Sequence, residues 1–221
     1  VMGQNNQASF EATLAGAVAV NDLKKTTKSH IGSSTTNVAT INSTDLYNQA
    51  VNKGEQVAAG LSLGIQRKEG TGANIAASAS INLINSTVEA EINNNNINKN
   101  TSTLGGSVSN IAYDKDLQIA GGVTAQYTKS SLGIGAAITV NKVKNTISAL
   151  MANNNIGGTV DSATNYLTAV NNLAVSKLTQ IGAAVSVGIS ASEKNIGTAN
   201  GAVAVNTVVN DVIAEISNSN I

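Results

Sequence analysis

A 62-residue internal repeat constrains this chain more than any other feature of its sequence. The segment 51–57 matches the segments 113–119 and 175–181, because a lysine, a glutamine and aliphatic residues recur at the same places. Six apolar columns keep this step across three copies without an insertion. They begin at Leu46, Val51, Val57, Leu61, Leu63 and Ile65. So constant a step predicts a solenoid in which each copy stacks on the one before it.

A second block of the repeat is anchored by asparagine. The anchors stand at Asn21, Asn82, Asn141 and Asn206. After each anchor, alternate positions carry mostly apolar residues, and a period of two is typical of a strand with one face turned inward. The second copy reads Ile84, Val88, Ala90 and Ile92 at these positions. We expect the anchor asparagines to lie at turns, to bond local backbone and to form ladders between copies.

The chain of 221 residues has no proline, although an average composition of about 5% would give roughly ten. Proline cannot donate a ladder hydrogen bond, so its absence favours stacked central strands. Each repeat contains three alternating stretches separated by Gly/Asn/Ser turns. The sequence therefore predicts an all-β fold, a right-handed parallel β-helix with about 20 residues per coil and three coils per repeat. About ten coils would form a rod of roughly 50 Å at the spacing between strands.

In such a β-helix the apolar columns should fill the tube, Val123 and Val185 among them. The substitution Val187→Asp is then expected to bury an unpaired charge. We expect residues 1–221 to form a single β-helical segment of a longer protein. Its repeat units are 1–31 (partial), 32–97, 98–156 and 157–221.

Two other folds were weighed against the β-helix. A helical solenoid disagrees with the spacing, because Val203 and Val205 stand two apart, whereas a helix face needs steps of three and four. An antiparallel sandwich also alternates and stays open as an alternative. It does not usually repeat at a fixed 62 residues, however, and it usually admits proline at its edges.

The charge and the rare residues exclude several functions. Thirteen basic residues balance thirteen acidic ones, so a basic surface for nucleic acid is not expected. With no cysteine and one histidine, disulfide frameworks and Cys/His metal sites are excluded. No phosphate-binding glycine loop and no calcium-binding nonapeptide occurs. No apolar run approaches the roughly 20 residues of a membrane helix. We therefore expect no cofactor, no metal and no transmembrane segment in this chain.

The sequence offers few residues for catalysis. Asp114 and Asp116 flank Lys115, but the matching positions of the other copies hold no acidic pair. We interpret this stretch as a solvated charged edge and His30 as a surface histidine. The chain is therefore not expected to be an enzyme.

The segments that differ in length or composition between copies are the expected contact loops. They span 66–73, 128–132 and 190–199, and loops tolerate change that stacked strands do not. The candidate partner-contact residues in them are Arg67, Lys68, Glu69, Lys129, Glu193 and Lys194.

Three blocks of the last repeat resemble the leukotoxin family of filamentous adhesins from fusobacteria and their relatives. These blocks are Gly-Ala-Ala-Val-Ser-Val-Gly-Ile at 182–189, Gly-Ala-Val-Ala-Val-Asn at 201–206 and Ala-Glu-Ile-Ser-Asn-Ser-Asn-Ile at 214–221. The resemblance implies a large exoprotein, secreted or at the bacterial cell surface. It also implies export by an outer-membrane transporter and contact of the full-length protein with a host cell-surface protein or glycan.

The function expected on these grounds is that of a structural and display shaft of a secreted toxin or adhesin. One alternative is an autotransporter-type adhesin passenger with its own receptor or glycan site. A second alternative is a polysaccharide-degrading β-helix enzyme, whose site would need clustered carboxylates on an outer sheet face.

Overall fold

The computed structural model describes residues 2–5, 11–32, 38–97, 106–157, 169–191 and 197–221. Nearly all of them lie in nine parallel strands. The strands are β1 (Met2–Asn5), β2 (Glu11–Gly32), β3 (Ala39–Ile41), β4 (Leu46–Asn93), β5 (Asn95–Ile97), β6 (Ser107–Ala152), β7 (Asn155–Ile156), β8 (Ala169–Ser190) and β9 (Thr198–Ser217). The described residues contain no helix long and apolar enough to cross a membrane.

The hydrogen-bonded register confirms the repeat. Leu61 pairs with Val123 and Val123 with Val185, so the 62-residue step joins direct neighbours in the sheet. The asparagine block stacks in the same way, because Asn21 pairs with Asn82, which pairs with Asn141. The predicted all-β parallel solenoid is thus confirmed, and the structure is consistent with a right-handed parallel β-helix.

The same register corrects the predicted coil length. A coil of about 20 residues would pair each residue with one about 20 positions further along the chain. The paired residues are instead 59 to 65 positions apart, for example Asn82 and Asn141 or Asn141 and Asn206. One whole repeat is therefore one winding of the solenoid, and the described chain forms four windings instead of about ten coils.

Each winding has two long sides and one short side. Strands β4 and β6 pass through a bend, where the register shifts between Gln66 and Ala73. β1 and β8 pair with the residues before the bend, whereas β2 and β9 pair with those after it. We call the part before the bend the first sheet and the part after it the second sheet. The short strands β3, β5 and β7 form the third sheet.

The first and second sheets lie face to face. Within the second winding, Asn48 donates to the carbonyl oxygen of Glu91 at 3.0 Å, and Gln56 donates to that of Leu83 at 3.4 Å. A side of 22 residues is roughly 70 Å long, whereas four stacked strands are only about 20 Å high. The described part is therefore wide and low instead of being a rod of 50 Å.

The apolar core lies where the three sheets meet. It contains Ile92, Ile97, Val108, Met151 and Ile156, and a second cluster around Val88 and Ile147 extends it. The prediction for the asparagine block is confirmed, because the alternating residues after Asn82 and Asn141 are almost wholly buried. Val212 and Ile216 occupy the same columns in the fourth winding and are more exposed, since strands cover them on one side only.

The corner between the second and third sheets uses asparagine in the left-handed region. Asn94, Asn153 and Asn218 have φ of 55°, 56° and 48°. Asparagine tolerates this conformation better than most residues, because its short amide can bond local backbone. The prediction that the anchor asparagines lie at turns is therefore wrong, because Asn82 and Asn141 lie inside strands.

Candidate functional site

The prediction that the apolar columns of the first sheet point inward is wrong for the part of the sheet near the bend. Leu61 and Val123 are 65% and 44% exposed, while their neighbours Ser62 and Thr124 are fully buried. The column continues to Val185 and is flanked by Val187 and Ile189, all of which are exposed. Alternation was predicted correctly, but the aliphatic residues of these strands point outward and the small polar ones inward.

Three ladders of amide side chains run through the interior from winding to winding. The predicted ladder of anchor asparagines is confirmed, with amide-to-amide distances of 2.9 to 3.0 Å along Asn21, Asn82, Asn141 and Asn206. A second ladder joins Asn48, Asn110 and Asn172 at 2.9 Å. A third joins Gln56, Gln118 and Gln180 at 3.3 and 2.7 Å.

The ladders also join the first sheet to the second. Asn82 in the second sheet donates to the carbonyl oxygen of Ile119 in the first at 2.8 Å. Asn110 in the first sheet donates to that of Leu150 in the second at 3.1 Å. The second and third ladders were not predicted, although the recurrence of Asn48 and Gln56 at a step of 62 was visible in the sequence.

The prediction that Asp114 and Asp116 lie on a solvated edge is wrong, because both lie inside the solenoid. Asp114 is 0% and Asp116 2% exposed. Asn52 and Ser86 donate to one oxygen of Asp114, and Asn145 donates to the other at 2.8 Å. Burial raises the pKa of the Asp114 carboxyl above its usual value, and the nearby negative charge of Asp116 raises that pKa further.

Asp116 pairs with a lysine from two windings away. The Lys25 ammonium lies 2.5 Å from its carboxylate, and both side chains are largely shielded from solvent. The winding between them has Gly54 at this place, where an added Cβ would lie only 2.2 Å from Nζ of Lys25. Because Gly54 has no side chain, there is space through which Lys25 reaches Asp116. Because both are buried, the two aspartates offer no carboxylate to an external substrate.

His30 lies on the outside of the second sheet, as predicted. Its Nδ1 is 3.1 Å from a carboxylate oxygen of Glu91, its partner in the next winding, and Lys28 bridges to Glu89 at 2.6 Å. Among the described residues no group of three or more metal-binding side chains comes together.

Two of the candidate contact residues, Arg67 and Lys129, lie at the bend. Arg67 is exposed and Lys129 partly exposed, and each follows a paired residue, Gln66 and Thr128 respectively. The structure thus brings these two cations to one edge. The side chains of Lys68 and Glu69 lie outside the described residues, as do the whole residues Glu193 and Lys194.

The outer face of the first sheet has an uncharged surface next to the bend that carries Arg67 and Lys129. We define the apolar outer face as the outward residues of three windings that lie between the bend and the column of Glu55, Leu117 and Thr179. They are Val57, Ala59, Leu61, Leu63, Ile65, Ile119, Gly121, Val123, Ala125, Tyr127, Ile181, Ala183, Val185, Val187 and Ile189.

A lysine column lies beyond the apolar outer face on the side away from the bend, and the column of Glu55, Leu117 and Thr179 lies between the two. Lys53 pairs with Lys115 and Lys115 with Lys177, and all three are exposed. A cavity of about 270 Å³ lies at this column, lined by Lys53, Lys115, Gly54, Glu55 and Leu117. Lys177 also stands over the ring of Tyr113, 5.9 Å from its centroid.

The comparisons with known proteins give no relative to set beside this site. No protein-family model matches the chain, and neither a curated protein nor a solved structure resembles it significantly.

Proposed function

We propose that this chain is a structural and display shaft of a large secreted bacterial toxin or adhesin of the leukotoxin type. In this role it would hold other parts of the full-length protein at the host cell surface. The proposal rests on the resemblance of the repeat blocks and on one structural observation, the parallel pairing of every described winding with the next. Windings that pair edge to edge in this way can be added one after another, which is what an extended shaft requires.

The polar interior supports a scaffold role. The asparagines and glutamines of the three ladders bond to their neighbours above and below and to the facing sheet. Asp114 and Asp116 also bond to protein groups. These inward polar groups thus join windings and sheets.

Localisation tests the proposal directly. An antibody against the chain should label intact producing cells or detect the protein in their culture medium. Detection only after the cells are lysed would overturn the proposal. An antibody against a cytoplasmic protein of the same cells is the control for leakage.

A receptor-binding adhesin is the second candidate function, and the bend is the observation that favours it. Arg67 and Lys129 lie there on one edge, at the place where the register shifts. Saturable binding of the chain to a glycan array or to host cells, lost in an Arg67→Ser/Lys129→Ser variant, would favour this function over a passive shaft. A variant with serine at the outward Lys24 and Lys28 of the second sheet is the charge-matched control.

The polysaccharide-degrading alternative loses the carboxylate pair on which it depended, because Asp114 and Asp116 face inward. Incubation with uronate polymers, followed by a search for unsaturated products, tests it independently of these two residues.

A further inference from the structure

We propose that the outer face of the first sheet binds anionic lipid surfaces. The apolar outer face would contact the boundary between headgroups and acyl chains, and the lysine column would contact lipid phosphates. This inference goes beyond the shaft function and does not depend on it.

The first argument is the size of the apolar surface. Fifteen outward positions in three adjacent strands carry no charged side chain. With strands about 4.8 Å apart and same-face residues about 6.7 Å apart, they cover roughly 500 Å². A patch of this size is comparable with the largest apolar patch of a typical single chain, about 300 to 600 Å², and such patches are often functional.

The second argument is the charge that frames this surface. Lys53, Lys115 and Lys177 lie along one border, and Arg67 and Lys129 lie along the other. Glu55 is the only outward carboxylate in the described strands of the first sheet. Basic residues next to an apolar surface are attracted to anionic lipids, while their long stems can lie along apolar groups.

The third argument is the cavity at the lysine column. Its volume of about 270 Å³ provides room for a phosphate-bearing headgroup, and its lining combines two lysines, Lys53 and Lys115, with one carboxylate, Glu55. Phosphate is a strong acceptor for such charged donors.

Charge also argues against a second copy of this chain on the same face. Both borders are cationic, so two copies placed face to face would bring cations against cations in either orientation. A bilayer that contains anionic lipid instead neutralises both borders at once.

The test uses the purified chain and lipid vesicles in a co-sedimentation assay. The chain should sediment with vesicles of phosphatidylcholine containing about one third phosphatidylserine, and much less with phosphatidylcholine alone. Replacing Lys53, Lys115 and Lys177 with glutamine should weaken binding roughly 100-fold, and salt should weaken binding of the unmodified chain.

A second variant tests the apolar contribution. Serine at Leu61, Val123 and Val185 should reduce binding at least tenfold, because these side chains would otherwise leave water. The matched control places serine at Val18, Ile138 and Val203, an exposed column of the second sheet, and should bind like the unmodified chain. Circular dichroism and melting temperature verify that all three variants fold.

Several outcomes would overturn the proposal. They are no binding to either vesicle, equal binding to both, or an equal loss in the control variant. Self-association seen by sedimentation velocity, and abolished by serine at Leu61, Val123 and Val185, would assign the face to a second copy instead.

Discussion

The two halves of the interior have opposite chemistry although the same two sheets enclose both. Near the third sheet most of the buried side chains are aliphatic, as at Ile92, Ile147 and Met151, although the Asn48 and Asn110 amides are buried among them. Near the bend they are small or amide-bearing, as at Ser62, Asn82 and Thr124, and the aliphatic residues of the same strands face outward. Hydrophobicity alone therefore does not decide which face of these strands is buried.

Close packing at two inward glycines contributes to the difference. A Cβ added at Gly60 would lie 3.0 Å from the carbonyl oxygen of Ala79, and one added at Gly122 would lie 3.2 Å from Thr139. At these two positions a larger aliphatic side chain would not fit without separating the sheets. The longer side chains buried elsewhere in this half, such as Gln66 and Gln126, are amides.

The strongest test of this comparison places a charge on each kind of aliphatic residue. Ile147→Asp buries an unpaired carboxylate in the apolar half and should lower the free energy of unfolding by several kcal/mol, about 4 or more. Val187→Asp, at a half-exposed outward position, should cost less than about 1 kcal/mol. Urea denaturation measures both. Equal losses would mean that the two halves do not differ as described.

The buried ion pair should give the next largest effect. Lys25→Met removes the cation and leaves Asp116 uncompensated inside the solenoid, at a cost of about 3 to 5 kcal/mol. Lys24→Met, at the adjacent outward position, is the control and should be nearly silent. A Lys25→Met variant as stable as its control would show that the ion pair contributes little to the free energy of unfolding.

A single ladder amide should matter less than the ion pair. Asn110→Ala removes the amide between Asn48 and Asn172 and its bonds to two backbone carbonyls, so we expect a loss of about 2 kcal/mol. Asn171→Ala, at an exposed site with only a 3.5 Å contact, should change stability by less than about 0.5 kcal/mol. Thermal melting of the two variants side by side provides the measurement.

The pH dependence of the Asp114 site should be the smallest of these effects. Its pKa is raised in the folded state, so between the ordinary value of 3.8 and the folded value the native chain binds more protons than the unfolded chain. The contribution of Asp114 to stability therefore falls as pH rises through this window. Asp114→Asn, which restores the residue found at Asn52 in the preceding winding, should remove that part of the dependence. Urea midpoints of both proteins measured across the window would reveal it, and parallel curves would contradict it.

The sequence predicted which residues stack between windings better than it predicted which side chains point inward. The constant step of Leu61, Val123 and Val185 identified residues that are paired in the sheet. Period two also identified which residues share a face. It does not say which of the two faces is inside, however, and a shift of one residue exchanges them. The prior that aliphatic residues are buried was right after Asn82 and wrong around Leu61.

The coil length and the aspartates were missed for different reasons. Dividing the repeat into three coils assumed matches at about 20 residues, whereas the columns match only at about 62, so the sequence already contained the correct period. The burial of Asp116 could not be predicted from one repeat. It depends on the space left by Gly54, which stands in the same column one step earlier, and on Lys25 from two windings away, which belongs to a different column of the other sheet.

The length of one winding has a consequence for how the chain folds. Strand partners lie about 62 residues apart, more than a quarter of the 221-residue chain, and such long-range pairing predicts slow folding. A growing chain cannot close its first ladder until about one whole repeat has followed the first strand. After that, each completed winding offers an ordered edge on which the next can assemble, so folding should advance in increments of one repeat from whichever winding forms first.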